Sequence, residues 1–277
     1  MRTELLALIL WFAGLQVEAV AGPSNDSAEP AGLAEQKMQF AQGAPYSNLT
    51  NLTQHFGFRA DAPDYCITNE SFRVLIPRAY STDGSWGLLV WISPSDEPII
   101  PSDWEAELEK HRMLFVAAYH SGNHRHPLDR FRLALDATSN ICRRYKIDRH
   151  RINVAGFSGG ARIASMLGVG YADIFTGTLC ICGVNFYKDV LVGQGKYYPA
   201  TFVPDPGVLL QGKQNSRFVL LTGEHDENRE NTQSAFNIFK REGFRHVVCF
   251  EVAGMSHALP SGKKLGEALD YLAEGHR

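Results

Sequence analysis

From residue 71 onward, short apolar runs alternate with stretches of helical periodicity, and this alternation is the strongest constraint on what the chain can become. The runs SFRVLIP, GLLVWISP, MLFVAAY, RINVAG, GTLCICGV, RFVLLTG and HVVCFEV read as strands. They are nearly continuous in apolar residues, the pattern of strands covered on both faces. DWEAELEKHR reads as a helix capped by Asp103. PLDRFRLALDATSNICRRYKI sets Leu128, Phe131, Leu135, Thr138, Cys142 and Tyr145 at steps of three and four, one face of a helix. Further helical patterns cover about 159–169, 231–242 and 261–274. Strand, long crossover and strand again gives parallel neighbours. The expected class is therefore α/β, an open and mostly parallel sheet with helices on both faces.

The rest of the chain divides around this unit. Arg2, the apolar run LLALILWFAGL and the small residues Ala19-Val20-Ala21 read as a signal peptide over residues 1–21, the run being too short to span a bilayer. An uncleaved anchor is the alternative. The mature chain is then expected to be secreted or periplasmic, with no membrane association once the signal is removed. Residues 22–65 are rich in Ala, Gly, Pro, Ser, Asn and Gln and read as a low-complexity linker or arm. Residues 66–277 form the expected domain, with 185–216, which contains KYYPATFVPDPG, a cap or loop insertion. Asn25, Asn48, Asn51 and Asn69 each open an Asn-x-Ser/Thr triplet, a glycan acceptor only in a eukaryotic secretory setting. The five cysteines, Cys66, Cys142, Cys180, Cys182 and Cys249, are sparse and odd in number. Small buried hydrophobes are the favoured reading, with room for one disulfide. A net charge of −3 from 27 basic and 30 acidic side chains, without a basic stripe, argues against nucleic acid as a partner.

The chemistry concentrates in RINVAGFSGGARIASML, residues 151–167. Gly156-x-Ser158-x-Gly160 between a strand and a helix has the spacing of a nucleophile elbow, where glycines flank a serine held at a sharp turn. A serine hydroxyl needs a base, and the base needs a carboxylate to fix its tautomer. On such a sheet these follow in the order serine, acid, histidine. Asp226 lies just past RFVLLTG, with Glu224 the runner-up, and His257 lies just past HVVCFEV. His225 and His246 are weaker bases. His120, His124 and His126 cluster in one loop but lack the partners of a metal site. The oxyanion needs N–H donors. Gly159 is one, and Ser95 is the expected second, with Ser93 behind it, because Pro94 has no N–H.

YKIDRHRINVAGFSGGARIASMLGVGYADIFTG resembles the nucleophile region of secreted polyhydroxybutyrate depolymerases and feruloyl or acetylxylan esterases, members of the α/β-hydrolase superfamily. Tyr145, Ile147, Asp148 and Arg151 fit that pattern, as do Gly156, Ser158, Gly159 and Gly160. LLTGEHDENRENT resembles the acid segment and GMSHALP the base segment, which implies Asp226 and His257 in those roles. The resemblance implies the α/β-hydrolase fold, ester substrates of small-molecule or polymeric kind, and no metal or organic cofactor. This chain departs from it at Ser93-Pro94-Ser95, where the family carries His-Gly and a small residue.

Three functions follow. The first is a serine hydrolase of carboxylic esters. The second is a serine peptidase of the same fold. The third is a binding protein that has kept the fold without catalysis, and the departure at Ser93-Pro94-Ser95 is its support.

Overall fold

A computed structural model describes residues 33–57, 64–193 and 195–275. The expected signal peptide and Asn25 lie outside the described residues. In chain order the elements are β1 (Leu33–Met38), α1 (Leu49–Phe56), β2 (Phe72–Pro77), β3 (Gly87–Ile92), α2 (Asp103–Lys110), β4 (Met113–Ala118), α3 (Pro127–Arg144), β5 (Ile152–Phe157) and α4 (Gly159–Gly170). There follow β6 (Gly177–Ile181), β7 (Val190–Val192), β8 (Lys196–Tyr198), α5 (Pro206–Asn215), β9 (Arg217–Gly223), α6 (Arg229–Arg241), β10 (His246–Val252) and α7 (Gly262–Ala273).

Eight strands form one sheet in the order β1-β2-β4-β3-β5-β6-β9-β10. The pairs β1/β2 and β2/β4 are antiparallel, and every other pair is parallel. Continuous apolar runs build this sheet because both of its faces are covered. Successive β3 residues show it: Leu88, Val90 and Ile92 enter the core beneath α3 and α4, while Leu89 and Trp91 enter the core beneath α2 and α7. Among the described residues no helix is long and apolar enough to cross a membrane.

The structure departs from the sequence reading at residues 33–57 and at Asp103, and gives form to residues 185–216. Residues 33–57, expected within a linker, belong to the domain. β1 pairs with β2 from Leu33↔Pro77 to Met38↔Phe72, and Met38, Phe40, Leu52 and Phe56 are buried. Phe56 stacks on Phe131 of α3, with ring centroids 4.6 Å apart. An edge strand buries only part of its surface, so LAEQKM carries little apolar signal of its own. Asn48, a glycan acceptor only in a eukaryotic secretory setting, also caps α1: its side chain accepts from the Asn51 N–H at 2.9 Å and donates to the Pro45 carbonyl at 2.8 Å. Asp103 does not cap its own helix. Its carboxylate accepts from the Gly262 N–H at 2.5 Å, tying α2 to the start of α7. Residues 185–216 hold the β7/β8 hairpin and then α5, the crossover helix that leads into β9.

One buried carboxylate fastens the N-terminal segment. Asp136 on α3 accepts from the Ala44 N–H at 2.6 Å, Ser47 Oγ at 2.6 Å and Tyr65 Oη at 2.7 Å. Burial is the largest influence on this carboxyl and raises its pKa, and the hydrogen bonds only partly oppose that. An acid raised by folding binds its proton more tightly folded than unfolded, so stability falls as pH rises from the unfolded value of about 3.9 through the folded one. Asp136→Asn should therefore gain stability relative to wild type as pH rises through that window. Asp136→Ala, which strands three donors, should lose about 3 kcal/mol and expose residues 33–57 to proteolysis. Thermal melts across pH and limited digestion check both.

Candidate active site

The strands β5, β6, β9 and β10 are parallel neighbours, so the loops that follow them open on one edge of the sheet. Ser158 follows β5, Asp226 follows β9 and His257 follows β10.

Ser158 holds φ 52° and ψ −119° at the turn into α4. That left-handed backbone costs free energy for a residue with a side chain, and its surroundings must enforce it. A Cβ on Gly156 would lie 2.4 Å from the carbonyl carbon of Gly160, and one on Gly160 would lie 1.9 Å from the Ile92 carbonyl oxygen. Only hydrogen fits at either place. The Ser158 N–H donates to the Ile181 carbonyl at 2.8 Å and pins the turn to β6.

His257 Nε2 lies 2.9 Å from Ser158 Oγ, and His257 Nδ1 lies 2.7 Å from Asp226 Oδ1. An ionised carboxylate can only accept, so the proton belongs on Nδ1 and the Nε2 lone pair faces the serine hydroxyl. Asp226 is buried, and Thr222 Oγ1 donates to its Oδ2 at 2.7 Å while the Asn228 N–H donates to its Oδ1 at 3.1 Å. Burial is the largest single influence and pushes this carboxyl up. The hydrogen bonds from Thr222, His257, Asn228 and Cys182 together outweigh it and hold the carboxyl below its ordinary value.

No protein-family model matches this sequence, and no curated protein matches it. Solved structures do. An S-formylglutathione hydrolase from Staphylococcus aureus superposes with a TM-score of 0.59 at 12% identity, over 87% of this chain and 99% of its own. A feruloyl esterase module from Clostridium thermocellum, a mutant complexed with sinapinate, gives 0.56 at 13% identity, over 74% of this chain and 83% of its own. Two fungal esterases from Rhizomucor miehei are described in a third match, at 0.54 and 14% identity, over 75% of this chain and 81% of that one. This chain has the α/β-hydrolase fold.

Within this α/β-hydrolase fold the remaining expected residues fall as follows. Glu224 turns away from the histidine: its carboxylate accepts from the Gly254 N–H at 2.9 Å and so braces the loop that carries His257. His246 begins β10, at the opposite edge of the sheet from His257. His225 uses its backbone N–H to reach the Met255 carbonyl at 2.9 Å. His126 accepts from the Leu128 N–H at the start of α3 and lines a cavity of about 330 Å³ beside α4, with Leu128, Phe131, Ile163 and Met166. Gly159 opens α4, where backbone N–H groups have no helical partner.

Ser95 corrects the sequence reading. Its N–H donates to Ser93 Oγ at 3.1 Å, so the expected second oxyanion donor is taken up inside its own loop. The reason is local. Pro94 offers no N–H, and a serine two residues before a backbone N–H readily closes a side-chain turn. Ser93 Oγ, which receives that N–H, is also bonded to Ser95 Oγ at 3.0 Å and to the Glu97 carbonyl at 3.2 Å, so the loop closes on itself.

Sequence reasoning missed the residues that hold the site together. Thr222 and Asn228 flank Asp226 within four residues, and that proximity was a usable signal. Arg162 had no such signal. Its guanidinium donates to the Val184 carbonyl at 3.1 Å, Asn185 Oδ1 at 3.2 Å and Asn228 Oδ1 at 3.1 Å, joining α4 to the acid loop. Cys182, read as a small core hydrophobe, touches the acid. Burial first, and then the Asp226 charge, push its thiol up to about 12, so it stays protonated and donates. Ligand-type atoms of Cys182, Asp226 and His257 lie within 4.8 Å of one another, and their mutual hydrogen bonds account for that closeness. All five cysteines are unpaired.

Gly160→Ala should be the most damaging single methyl in this site. The added carbon meets backbone rather than a movable side chain, so destabilisation of about 3 kcal/mol is expected, read by denaturant unfolding.

Proposed function

We propose that this chain is a serine hydrolase of carboxylic esters. The observation that carries the reading is the unbroken contact from Ser158 Oγ through His257 to Asp226, at 2.9 and 2.7 Å. Ser158 Oγ bonds to the ester carbonyl carbon as its proton passes to His257 Nε2, and the carbonyl π pair moves onto oxygen. The tetrahedral adduct collapses, the C–O bond to the alcohol breaks, and the alkoxide takes the proton from Nε2. Water repeats the sequence on the acyl-enzyme, returning Ser158 and releasing the acid. Asp226, held ionised by its donors, stabilises the imidazolium that forms in each half. The Gly159 N–H, at the positive end of α4, receives the developing negative charge.

Ester hydrolysis is favoured over a non-catalytic role because the strained backbone of Ser158 aims its hydroxyl at an imidazole that is itself held by a buried carboxylate. The esterase neighbours support the same choice, and the feruloyl esterase bound to sinapinate suggests aromatic acyl esters among the first substrates to try. Export by a signal peptide at residues 1–21 belongs to this proposal as well, on the composition of that segment.

A fluorophosphonate probe should label wild type, and Ser158→Ala should abolish both labelling and turnover of p-nitrophenyl acetate and butyrate while melting like wild type. Asp226→Asn should keep the fold and lose about 10⁴ in kcat. Aminoacyl anilides run in parallel decide between ester and amide. Turnover retained in the alanine variant would remove the assignment.

A further inference from the structure

The Ser95 N–H is engaged inside its own loop, and a different polar side chain lies against Gly159. Asn123, in the loop between β4 and α3, donates its backbone N–H to the Pro94 carbonyl at 2.9 Å. It is thereby fixed against the loop in which Ser95 has turned inward. Its side chain lies directly on Gly159, where a Cβ would sit 2.1 Å from Asn123 Oδ1 and 2.9 Å from Nδ2. Gly159 is thus glycine to admit this amide, and it is also the residue immediately after the nucleophile.

Arg130 decides which end of the amide faces which way. This buried guanidinium donates to the Ser93 carbonyl at 2.8 Å, to the Gly159 carbonyl at 3.4 Å and to Asn123 Oδ1 at 3.4 Å. Arginine has no acceptor, so the amide oxygen must face it. The NH₂ end stays within reach of Gly159 but is the farther of the two, 2.9 Å against 2.1 Å for Oδ1 from where a Gly159 Cβ would sit, and among the described residues no acceptor meets it. An exposed amide donor, unpartnered among the described residues and lying against the residue that follows Ser158, is of the kind that can serve an oxyanion forming on the serine adduct.

We propose that Asn123 Nδ2 supplies the second oxyanion hydrogen bond, alongside the Gly159 N–H, in place of the backbone donor that Ser93-Pro94-Ser95 withdraws. The inference rests on the ester-hydrolase reading above and adds a catalytic residue to it. As the carbonyl π pair moves onto oxygen, that oxygen accepts from Nδ2–H and from Gly159 N–H, and both bonds relax when the adduct collapses.

The test uses the full chain with p-nitrophenyl butyrate, in wild type, Asn123→Ala and Asn123→Leu, the last keeping bulk while removing the donor. Both variants should lose about 100-fold or more in kcat with KM held, and melt like wild type because the side chain is exposed. A trifluoromethyl ketone, whose serine adduct carries the same oxyanion, should weaken in proportion to kcat/KM. If wild type turns over the ester and Asn123→Leu matches it in kcat and ketone affinity, Asn123 only fills space and the inference fails while the hydrolase reading stands. If wild type neither turns over ester nor takes the fluorophosphonate at Ser158, the hydrolase reading fails and this inference goes with it.

Discussion

The turn at Ser158 is the constraint on which the rest depends. A strand buried on both faces must end, reverse into a helix, and leave one side chain standing at the rim. It does so by forcing a residue with a Cβ into left-handed backbone, φ 52°. No local preference favours that geometry for serine. Contacts from β3, β6 and α4 hold it, through Gly160 against the Ile92 carbonyl and the Ser158 N–H on Ile181. The hydroxyl consequently projects from a rigid point, and α4 begins one residue later with its unpaired N–H groups turned to the same place.

The acid shows how the site manages charge. A carboxylate as buried as Asp226 would ordinarily take up a proton. Four donors reverse that, Thr222 and Asn228 from within four residues and His257 and Cys182 from separate loops. Its negative charge then persists next to an imidazole and fixes the imidazole's tautomer. Asp136, buried as deeply against the N-terminal segment, is tipped the other way, with burial outweighing its partners. Two aspartates in one chain thus differ in pKa direction through the balance of burial against hydrogen bonding at each.

Much of this was legible in advance, for a reason that can be named residue by residue. The parallel strands announce themselves because continuous apolar runs have few other uses in a chain of this composition. Ser158, Asp226 and His257 could be chosen because each sits directly past such a run, and a parallel sheet brings those ends together. β1 was hidden, since an edge strand reads as polar linker. The sequence leaves the Ser95 N–H looking free, whereas the hydroxyl two residues earlier takes it at 3.1 Å. Cys182 is buried in the core as its apolar segment predicts, but nothing in its neighbours indicates that an acid 44 positions later reaches it.

The sequence alone determined the order of strands β2 to β6, β9 and β10, the glycine-flanked turn at Ser158, and a serine, an aspartate and a histidine just past strand ends, because those depend on periodicity and on glycines acting within a few residues. The tertiary structure alone decided how those groups are supported. Whether residues 33–57 join the sheet, which way the loop after β3 turns its N–H groups, and that Asn123 comes to rest on Gly159 are outcomes of packing between segments dozens of residues apart. Such contacts follow from side-chain shape and competing hydrogen-bond partners in three dimensions, and no local pattern encodes them.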